Sequence, residues 1–462
     1  MDFWKARLQG LLLMRGSDSV AVLLKNASHI FCGNVGVGLI SFCQGIVVAR
    51  GLGVADFGVL AAIISLSGTV RGVLGFRTSE PLTRYFVTHR LRDEKKLAAF
   101  LVMLALMADF GVGILAFVVG ALLARFAALH IAGGSASTLA YQVFAVTGIF
   151  AFADATWLSL MRDSDRFSTI ATVPVWVALL RMSAAMGLYI LGQMQVMNLV
   201  IVLTVISAIQ CIIYCYGICV HLRGLLSHSP GIADLREAFR SRAMFPGFWS
   251  FMSITCGSTL TSSLVKSADV MVLGLFCAES TLGCYRLAKS AIGMFQNSAQ
   301  TIGTVLYQDL NEMIQNSTHD RIHDLVKKLS GVWIPVMMAT AIAMAMLWKP
   351  LVQIVYGPDF LPSLSPFLVM LLGSAFYMSI FWVHPLGLAL DCAGKFLRLT
   401  TWICLGGFLS MFLTAKCFGS AGVAGSVAIS WVISSSLMAR IVWKKWTQLG
   451  LSAGNESARQ VG

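Results

Sequence analysis

The chain has 462 residues, 57% hydrophobic and 12% charged, with a mean hydropathy of +0.79. A soluble domain carries about 25% charged residues, so the composition excludes a soluble fold. The net charge of +13 does not indicate nucleic acid: with both termini inside, most of the 34 Lys and Arg fall in inside segments, and the outside loops hold Arg50, Arg125, Lys349 and Lys416. That is the positive-inside asymmetry of a multi-pass membrane protein.

Residues 1–25 form a basic, partly amphipathic lead. Its apolar patch, Leu11 to Met14, is too short for a signal peptide and has no cleavage site, so it is expected to lie along the membrane surface. About a dozen apolar stretches follow that are long enough for the roughly 20 residues a membrane helix needs. Lipid offers the backbone no partners, so they are helices. Spans 1–6 begin near residues 28, 58, 97, 138, 168 and 197 and form an N-lobe, 26–222. The longest polar interval, 223–247, contains GIADLREAFRSRAMFPG and reads as a cytoplasmic linker. Spans 7–12 begin near 248, 287, 330, 366, 399 and 421 and form a C-lobe, 248–446. His384-Pro385 reads as a kink in span 10. Residues 447–462 are a polar, Gly/Ser-rich cytoplasmic tail with the composition of a disordered end. The expected fold is an all-α polytopic membrane protein with about 12 transmembrane helices in two pseudo-symmetric six-helix lobes.

Two segments repeat a pattern at an offset of 225 residues, VVARGLGVADFGVLAAIISLSG (Val47 to Gly68) and VLGLFCAESTLGCYRLAKSAIG (Val272 to Gly293). Identities are few: Val47/Val272, Gly58/Gly283, Ser65/Ser290 and Gly68/Gly293. The polar stripes correspond better. Asn34, Ser41 and Gln44 share a face of span 1, and the same offset turns them into Thr259, Lys266 and Asp269. On span 8, Lys289, Gln296 and Gln300 share a face, and Gln296 is the repeat image of Arg71. Six spans per half is an even number, so the repeats are parallel. A duplicated membrane protein with polar seams at matching depths has the pattern of a transporter, with spans 1, 2, 7 and 8 lining its cavity.

Several charges fall inside spans. Arg71 is placed near the middle of span 2 and Arg181 near the middle of span 5, Lys266 is deep in span 7, and Arg77, Arg286 and Lys289 lie nearer helix ends. A central Arg or Lys facing lipid costs roughly 2.5–3.5 kcal/mol, so these side chains face a wet cavity or pair with carboxylates. Lys266 and Asp269, three residues apart, can neutralise each other, and Asp109 or Asp154 can do so for Arg71 or Arg181. Across the four cavity spans the cations Arg71, Arg77, Lys266, Arg286 and Lys289 outnumber Glu80 and Asp269. A cationic cavity concentrates anionic cargo bearing phosphate or carboxylate. Asn34, Gln44, Gln296 and Gln300 supply neutral polar groups, and Glu80, Asp109, Asp154 and Asp269 are the candidate ion-coupling groups.

Chemistry other than transport is not signalled. There is no phosphate-binding Gly-rich loop with Lys-Ser/Thr, no nucleophile elbow and no zinc-ligand spacing. The eleven cysteines show no Cys-x-x-Cys pair, so no metal or cofactor is expected. Cys211, Cys215 and Cys219 form a stripe that suits helix packing, and Cys277 and Cys284 flank an outside turn where they could pair. Outside loops are too short for an exterior catalytic region.

The segments ARGLGVADFGVLA after span 1, WLSLMRDSDRF at the end of span 4 and ADVMVLGLFCAESTLGCYRLAKS across spans 7 and 8 resemble the multidrug/oligosaccharidyl-lipid/polysaccharide exporter superfamily. Within it the resemblance is to the polysaccharide-biosynthesis, O-antigen flippase branch, and it runs the full length. It implies a V-shaped fold like that of the multidrug antiporters, in the bacterial inner membrane, with both termini cytoplasmic and no enzymatic activity. It implies transport of undecaprenyl-pyrophosphate-linked oligosaccharides for surface or extracellular polysaccharide, by alternating access. The partners implied are the lipid-linked oligosaccharide, membrane lipids, and a polymerase and chain-length regulator of polysaccharide assembly. Arg71, Arg181, Lys266 and Lys289 are the expected anion contacts. Two alternatives stand beside this: a multidrug cation antiporter, which would expose a carboxylate-rich cavity, and a membrane polymerase acting on lipid-linked sugars.

Overall fold

The computed structural model describes residues 17–75, 78–92, 94–131, 137–226, 236–237, 239, 268–315, 319–390 and 392–460. All regular structure among them is helical. The first element, α1 (Ser17–Leu74), is two helical arms broken at Gly53, whose φ of 78° and ψ of 173° leave helical space. A residue without Cβ takes that conformation at little steric cost. The last element, α14 (Ala393–Gln460), is broken in the same way at Gly419, φ 56°. Gly53, Gly192, Gly357 and Gly419 are the glycines with positive φ among the described residues. Each joins an odd-numbered span to the next even one, so all four turns lie at the same end of the bundle.

Between these long elements run α2 (Ser79–Leu91), α3 (Lys95–His130), α4 (Thr138–Ala145), α5 (Thr147–Phe150), α6 (Ala153–Asp163), α7 (Phe167–Ile190), α8 (Val196–Leu226), α9 (268–276), α10 (Glu279–Gln315), α11 (His319–Val355), a 3-10 turn (Pro358–Ser363), α12 (Leu364–Ser379) and α13 (Val383–Ala389). Eight helices among the described residues are long and apolar enough to cross a membrane; two of the eight, Ser28–Leu74 and Gly394–Thr447, each contain one of the glycine breaks. Span 7 is described only over 268–276. Span 8, α10, is not among the eight; its first eighteen residues carry Glu279, Arg286, Lys289 and Gln296.

Several elements differ from the sequence reading. Span 2 restarts at Val54, directly after Gly53, so Arg71 lies in the last turn of α1 and not at its middle. Span 8 begins at Glu279, eight residues before the expected 287. Span 4 is not one helix but α4, α5 and α6, interrupted at Val146 and at Ala151–Phe152. In span 10 the kink expected at His384-Pro385 is a full break over Ile380–Trp382. Pro385 fits the first turn of α13, where its missing N–H is no loss, but its ring excludes a helix running through Phe381 four residues earlier. The fourth span of each half is thus broken. The helix α14 also runs to Gln460, through the expected disordered tail; Ala453, Glu456 and Ala458 are good helix formers, and no proline intervenes.

Small residues set the close packing, as expected where lipid supplies no hydrophobic drive between helices. The first arm of α1 lies along α7, where a Cβ on Gly33 would come within 2.8 Å of Ala171 Cβ and one on Gly36 within 3.5 Å of Val175. The N-lobe has its own apolar cluster around Leu82, Phe86, Leu101 and Leu160, next to the stacked Trp157–Tyr214 pair at 4.2 Å. A larger core joins both lobes through Ala49, Ile63, Val270, Tyr285 and Phe367, with Trp348 stacked on Phe367 at 3.9 Å. The cysteine stripe on α8 grades from buried Cys211 to exposed Cys219, as packing requires. Cys277 and Cys284 are both free thiols; Cys284 Sγ instead lies 3.8 Å from the Asp359 carbonyl oxygen.

Candidate functional site

The lobes approach most closely at one of the identities shared by the two repeats, Gly58 and Gly283. A methyl group on Gly58 would be driven into the Glu279 carbonyl and would lie 2.9 Å from Gly283 N; one on Gly283 would be driven into the Val54 carbonyl, 3.2 Å from Gly58 N. Gly58 maps onto Gly283 at the 225-residue offset, and Val54 onto Glu279. The contact is therefore self-complementary about a local twofold, each half presenting the same glycine and the same first-turn carbonyl to the other.

Immediately beyond this crossing a cavity of about 220 Å³ opens between the lobes. Ser41, Gln44, Gly45 and Val48 line it from the first arm of α1, Phe57 to Ile64 from the second arm, and Arg286, Leu287 and Ser290 from α10. Leu199 and Leu203 of α8 and Tyr356 after α11 complete the wall. Spans 1, 2 and 8 contribute as expected. Span 6 contributes as well, which the polar pattern did not show because Leu199 and Leu203 are apolar. Among the described residues, Arg286 is the one charged residue in this lining. No carboxylate among the described residues lies within ion-pair distance of it, and Asp269 acts on it only from farther away.

The reason Arg286 faces the cavity lies one turn further along α10. Lys289 Nζ is 2.6 Å from Asp269 Oδ1, so this expected anion contact is already engaged by an internal carboxylate. Asp269, only 2% exposed, also accepts Tyr285 Oη at 2.8 Å and the backbone N–H of Val270 at 2.8 Å. A buried carboxylate with three donors is fully satisfied. The Lys266–Asp269 pairing expected from their spacing cannot be followed, because Lys266 lies outside the described residues; the described ion partner of Asp269 is Lys289, on the neighbouring helix. Arg286 was counted among the sequence's intramembrane cations but not among its anion contacts. The signal that could have found it is its place three residues before Lys289: one of the two faces Asp269, and the other turns away.

A second cavity, of about 380 Å³, lies within the N-lobe and is lined by Gly68, Arg71, Gly72, Asp109, Gly113 and Asp154 among others. Arg71 Nη2 is 3.8 Å from Asp154 Oδ2, with both side chains more than two-fifths exposed, a loose pair. Asp109 is 8% exposed and accepts a hydrogen bond of 2.7 Å from Thr78 Oγ1, just before α2. Arg181, in mid-α7, donates from Nη2 to Gln210 Oε1 at 3.1 Å, while its buried Nε has no partner. It faces Asp154 at longer range. The expectation that Asp154 answers Arg71 thus holds, whereas Asp109 pairs with a hydroxyl and not with an arginine.

The remaining expected residues divide. Gln44 lines the inter-lobe cavity. Asn34 is exposed on α1, two turns away on the same face as Ser41 and outside the cavity lining. Gln296 donates to Ser374 Oγ at 3.3 Å, tying span 8 to span 10 as Arg71–Asp154 ties span 2 to span 4. The side chains of Glu80 and Gln300, and all of Arg77, lie outside the described residues. Among the described residues, no group of three or more His, Cys, Asp or Glu is placed to hold a metal.

Comparison with solved structures gives the fold an identity. The lipid II flippase MurJ in its inward closed conformation superposes with a TM-score of 0.70 at 14% identity, over 91% of this chain and 89% of that one. An inward-facing multidrug resistance MATE family transporter of the MOP superfamily gives 0.59 at 12% identity, over 90% and 95%. A MOP superfamily transporter from Pyrococcus furiosus, described as having a binding pocket of reverse polarity, gives 0.58 at 13%, over 96% and 98%. At these identities the likeness establishes the two-lobed MOP fold. No curated protein sequence matches the chain. The pattern of the family described as polysaccharide biosynthesis protein matches residues 23–307, and the chain is a multi-pass membrane protein of that family.

Proposed function

We propose that this protein carries undecaprenyl-pyrophosphate-linked oligosaccharides across the bacterial inner membrane by exposing the inter-lobe cavity to each side in turn. Arg286 carries this reading: a guanidinium turned into the cavity between the lobes, with no acid among the described lining residues. Arginine presents a planar fork suited to phosphate oxygens. Ser41, Gln44 and Ser290 stand in the same wall and can bind the other oxygens. A cavity of about 220 Å³ is smaller than the roughly 300–1,000 Å³ of most small-molecule sites. It suits a charged headgroup, with the glycan in the wider space between the lobes and the prenyl chain in lipid.

Family membership and the fold of solved flippases and exporters support transport over catalysis. The charge of the cavity argues against the cation antiporter, which needs a carboxylate where the described lining has an arginine. On this reading Arg71 and Arg181 form a second cationic station in the N-lobe, loosely held by Asp154. Asp109 and Asp154 are the groups placed for ion coupling. Lys289 and Asp269 are structural. The topology, with both termini and the 223–247 linker cytoplasmic, rests on the distribution of Lys and Arg.

Deleting the gene in its host and analysing lipid extracts by mass spectrometry tests the function. A build-up of prenyl-pyrophosphate-linked oligosaccharide, relieved by the wild-type gene but not by Arg286→Gln, is the expected result. Unchanged lipids with new sensitivity to cationic drugs would favour the antiporter.

A further inference from the structure

At one end the inter-lobe cavity is bounded by few parts. The Gly58–Gly283 crossing lies in the first turns of the second α1 arm and of α10, and Phe57, Leu60 and Arg286 of the cavity lining flank it. Beside the crossing, Arg50 reaches from the N-lobe to the C-lobe. Its Nε donates to the Val355 carbonyl at 2.6 Å and its Nη2 to the Ile354 carbonyl. Those carbonyls end α11, where helix oxygens have lost their intrahelical donors and carry the negative end of the helix dipole. Phe57 meets Phe360 edge-on at 5.9 Å, and Phe42 meets Tyr356 at 6.3 Å. Farther along the same two helices the polar groups turn inward to their own lobes, Arg71 to Asp154 and Gln296 to Ser374. The lobes are thus held together at the end bearing the left-handed glycine turns.

We infer that Arg50 and the Gly58–Gly283 crossing form a gate at this end, with Arg50 as its releasable latch. The inference rests on the alternating exposure proposed above. At the crossing itself glycine meets backbone carbonyl, with no side chain locked between the two helices, so parting there separates backbone from backbone, and only the flanking apolar contacts have to slide. The latch is charged yet exposed, so water can replace its two acceptors when it opens. Its fork geometry selects the closed register, because only a guanidinium reaches two successive carbonyls at once. Opening leaves those helix-end carbonyls to solvent, which is where such carbonyls ordinarily find partners.

The test reads access to the cavity, not transport. In full-length protein whose exposed native cysteines are replaced, Ser290→Cys reports on the cavity wall. A membrane-impermeant maleimide is applied to intact spheroplasts and to inverted vesicles. Arg50→Ala should raise labelling from the gate side about tenfold, the shift expected for losing charge-assisted hydrogen bonds, and lower it from the opposite side. Arg50→Lys should fall between, and Gly58→Ala, which forces the crossing apart, should act like Arg50→Ala. Gate-side labelling unchanged by both Arg50→Ala and Gly58→Ala would overturn the gate, as would an equal rise from both sides, which reports a loosened fold. Either result is independent of cargo, so the gate can fail while lipid-linked sugar still accumulates in the deletion strain, and the converse.

Discussion

The two lobes share a scaffold but not a charge pattern. In the N-lobe the exposed cation is Arg71, in the last turn of α1; in the C-lobe the cavity cation is Arg286, two turns into α10. The repeat matches Arg71 with Gln296 and Arg286 with Ala61, so neither cation has a charged counterpart. The ten residues separating Ala61 from Arg71 place the two cations about 15 Å apart in depth at 1.5 Å per residue. The contacts that build the lobes are kept: glycine against first-turn carbonyl, span 2 to span 4, and span 8 to span 10. Duplication has preserved backbone approach, which tolerates no added atom, and has let charge drift to different depths. If the cargo is the anionic lipid proposed above, two staggered cations offer its headgroup successive stations along one path, as matched cations at one depth would not.

The largest effect expected from this asymmetry is at Arg286. Arg286→Gln should abolish transport, with lipid-linked oligosaccharide accumulating as in the deletion strain, while the protein still reaches the membrane. Ala61→Arg, which places a cation at the matching N-lobe position, should not restore transport in Arg286→Gln. Restoration would show that depth, and not the lobe that supplies the charge, is what matters.

Next comes the C-lobe ion pair. Removing one partner of a buried pair typically costs about 3–5 kcal/mol. Asp269→Asn, which leaves Lys289 without its counter-charge, should therefore lower the thermal stability of the purified protein sharply. Adding Lys289→Met should recover part of the loss. A double variant no more stable than Asp269→Asn alone would show that Tyr285 and the Val270 N–H account for most of the role of Asp269.

The N-lobe pair should matter less. Arg71 and Asp154 are separated by 3.8 Å and both substantially exposed, a setting in which ion pairs contribute about 0–1 kcal/mol. Asp154→Asn should leave stability nearly unchanged, which checks the contrast with Asp269 directly in the same melting assay. Smallest of all is Gln296→Ala, which removes one neutral 3.3 Å hydrogen bond to Ser374 worth about 1 kcal/mol. A transport defect in Gln296→Ala as deep as that of Arg286→Gln would instead make the span 8–span 10 tie part of the cargo path.

Much of the site was visible in the linear pattern, for a physical reason. Charges inside apolar runs are costly to insert, so Arg71, Arg181, Asp109, Asp154, Asp269 and Lys289 stood out, and each described one has a polar partner. What spacing could not give was who pairs with whom. Residues three apart on one helix, such as Lys266 and Asp269, look like partners, but the partner seen for Asp269 is Lys289, twenty positions away on the next helix. Pairing depends on how α9 and α10 lie against each other, and that is set by small residues whose letters carry no charge. Arg50 was counted as an ordinary outside-loop cation for the same reason: the carbonyls it meets belong to every residue alike and leave no trace in the sequence.

The sequence by itself determined the membrane environment, the helical class, the duplication and the excess of positive charge. These follow from composition, hydropathy and period, which need no knowledge of neighbours. The tertiary structure alone decided which of the described intramembrane cations has a carboxylate beside it, because neutralisation is a matter of a few ångströms between distant helices. It also decided that the one Phe/Leu-Gly step kept in both repeats is the place where the lobes touch, because only a packed crossing shows that neither glycine has room for a Cβ.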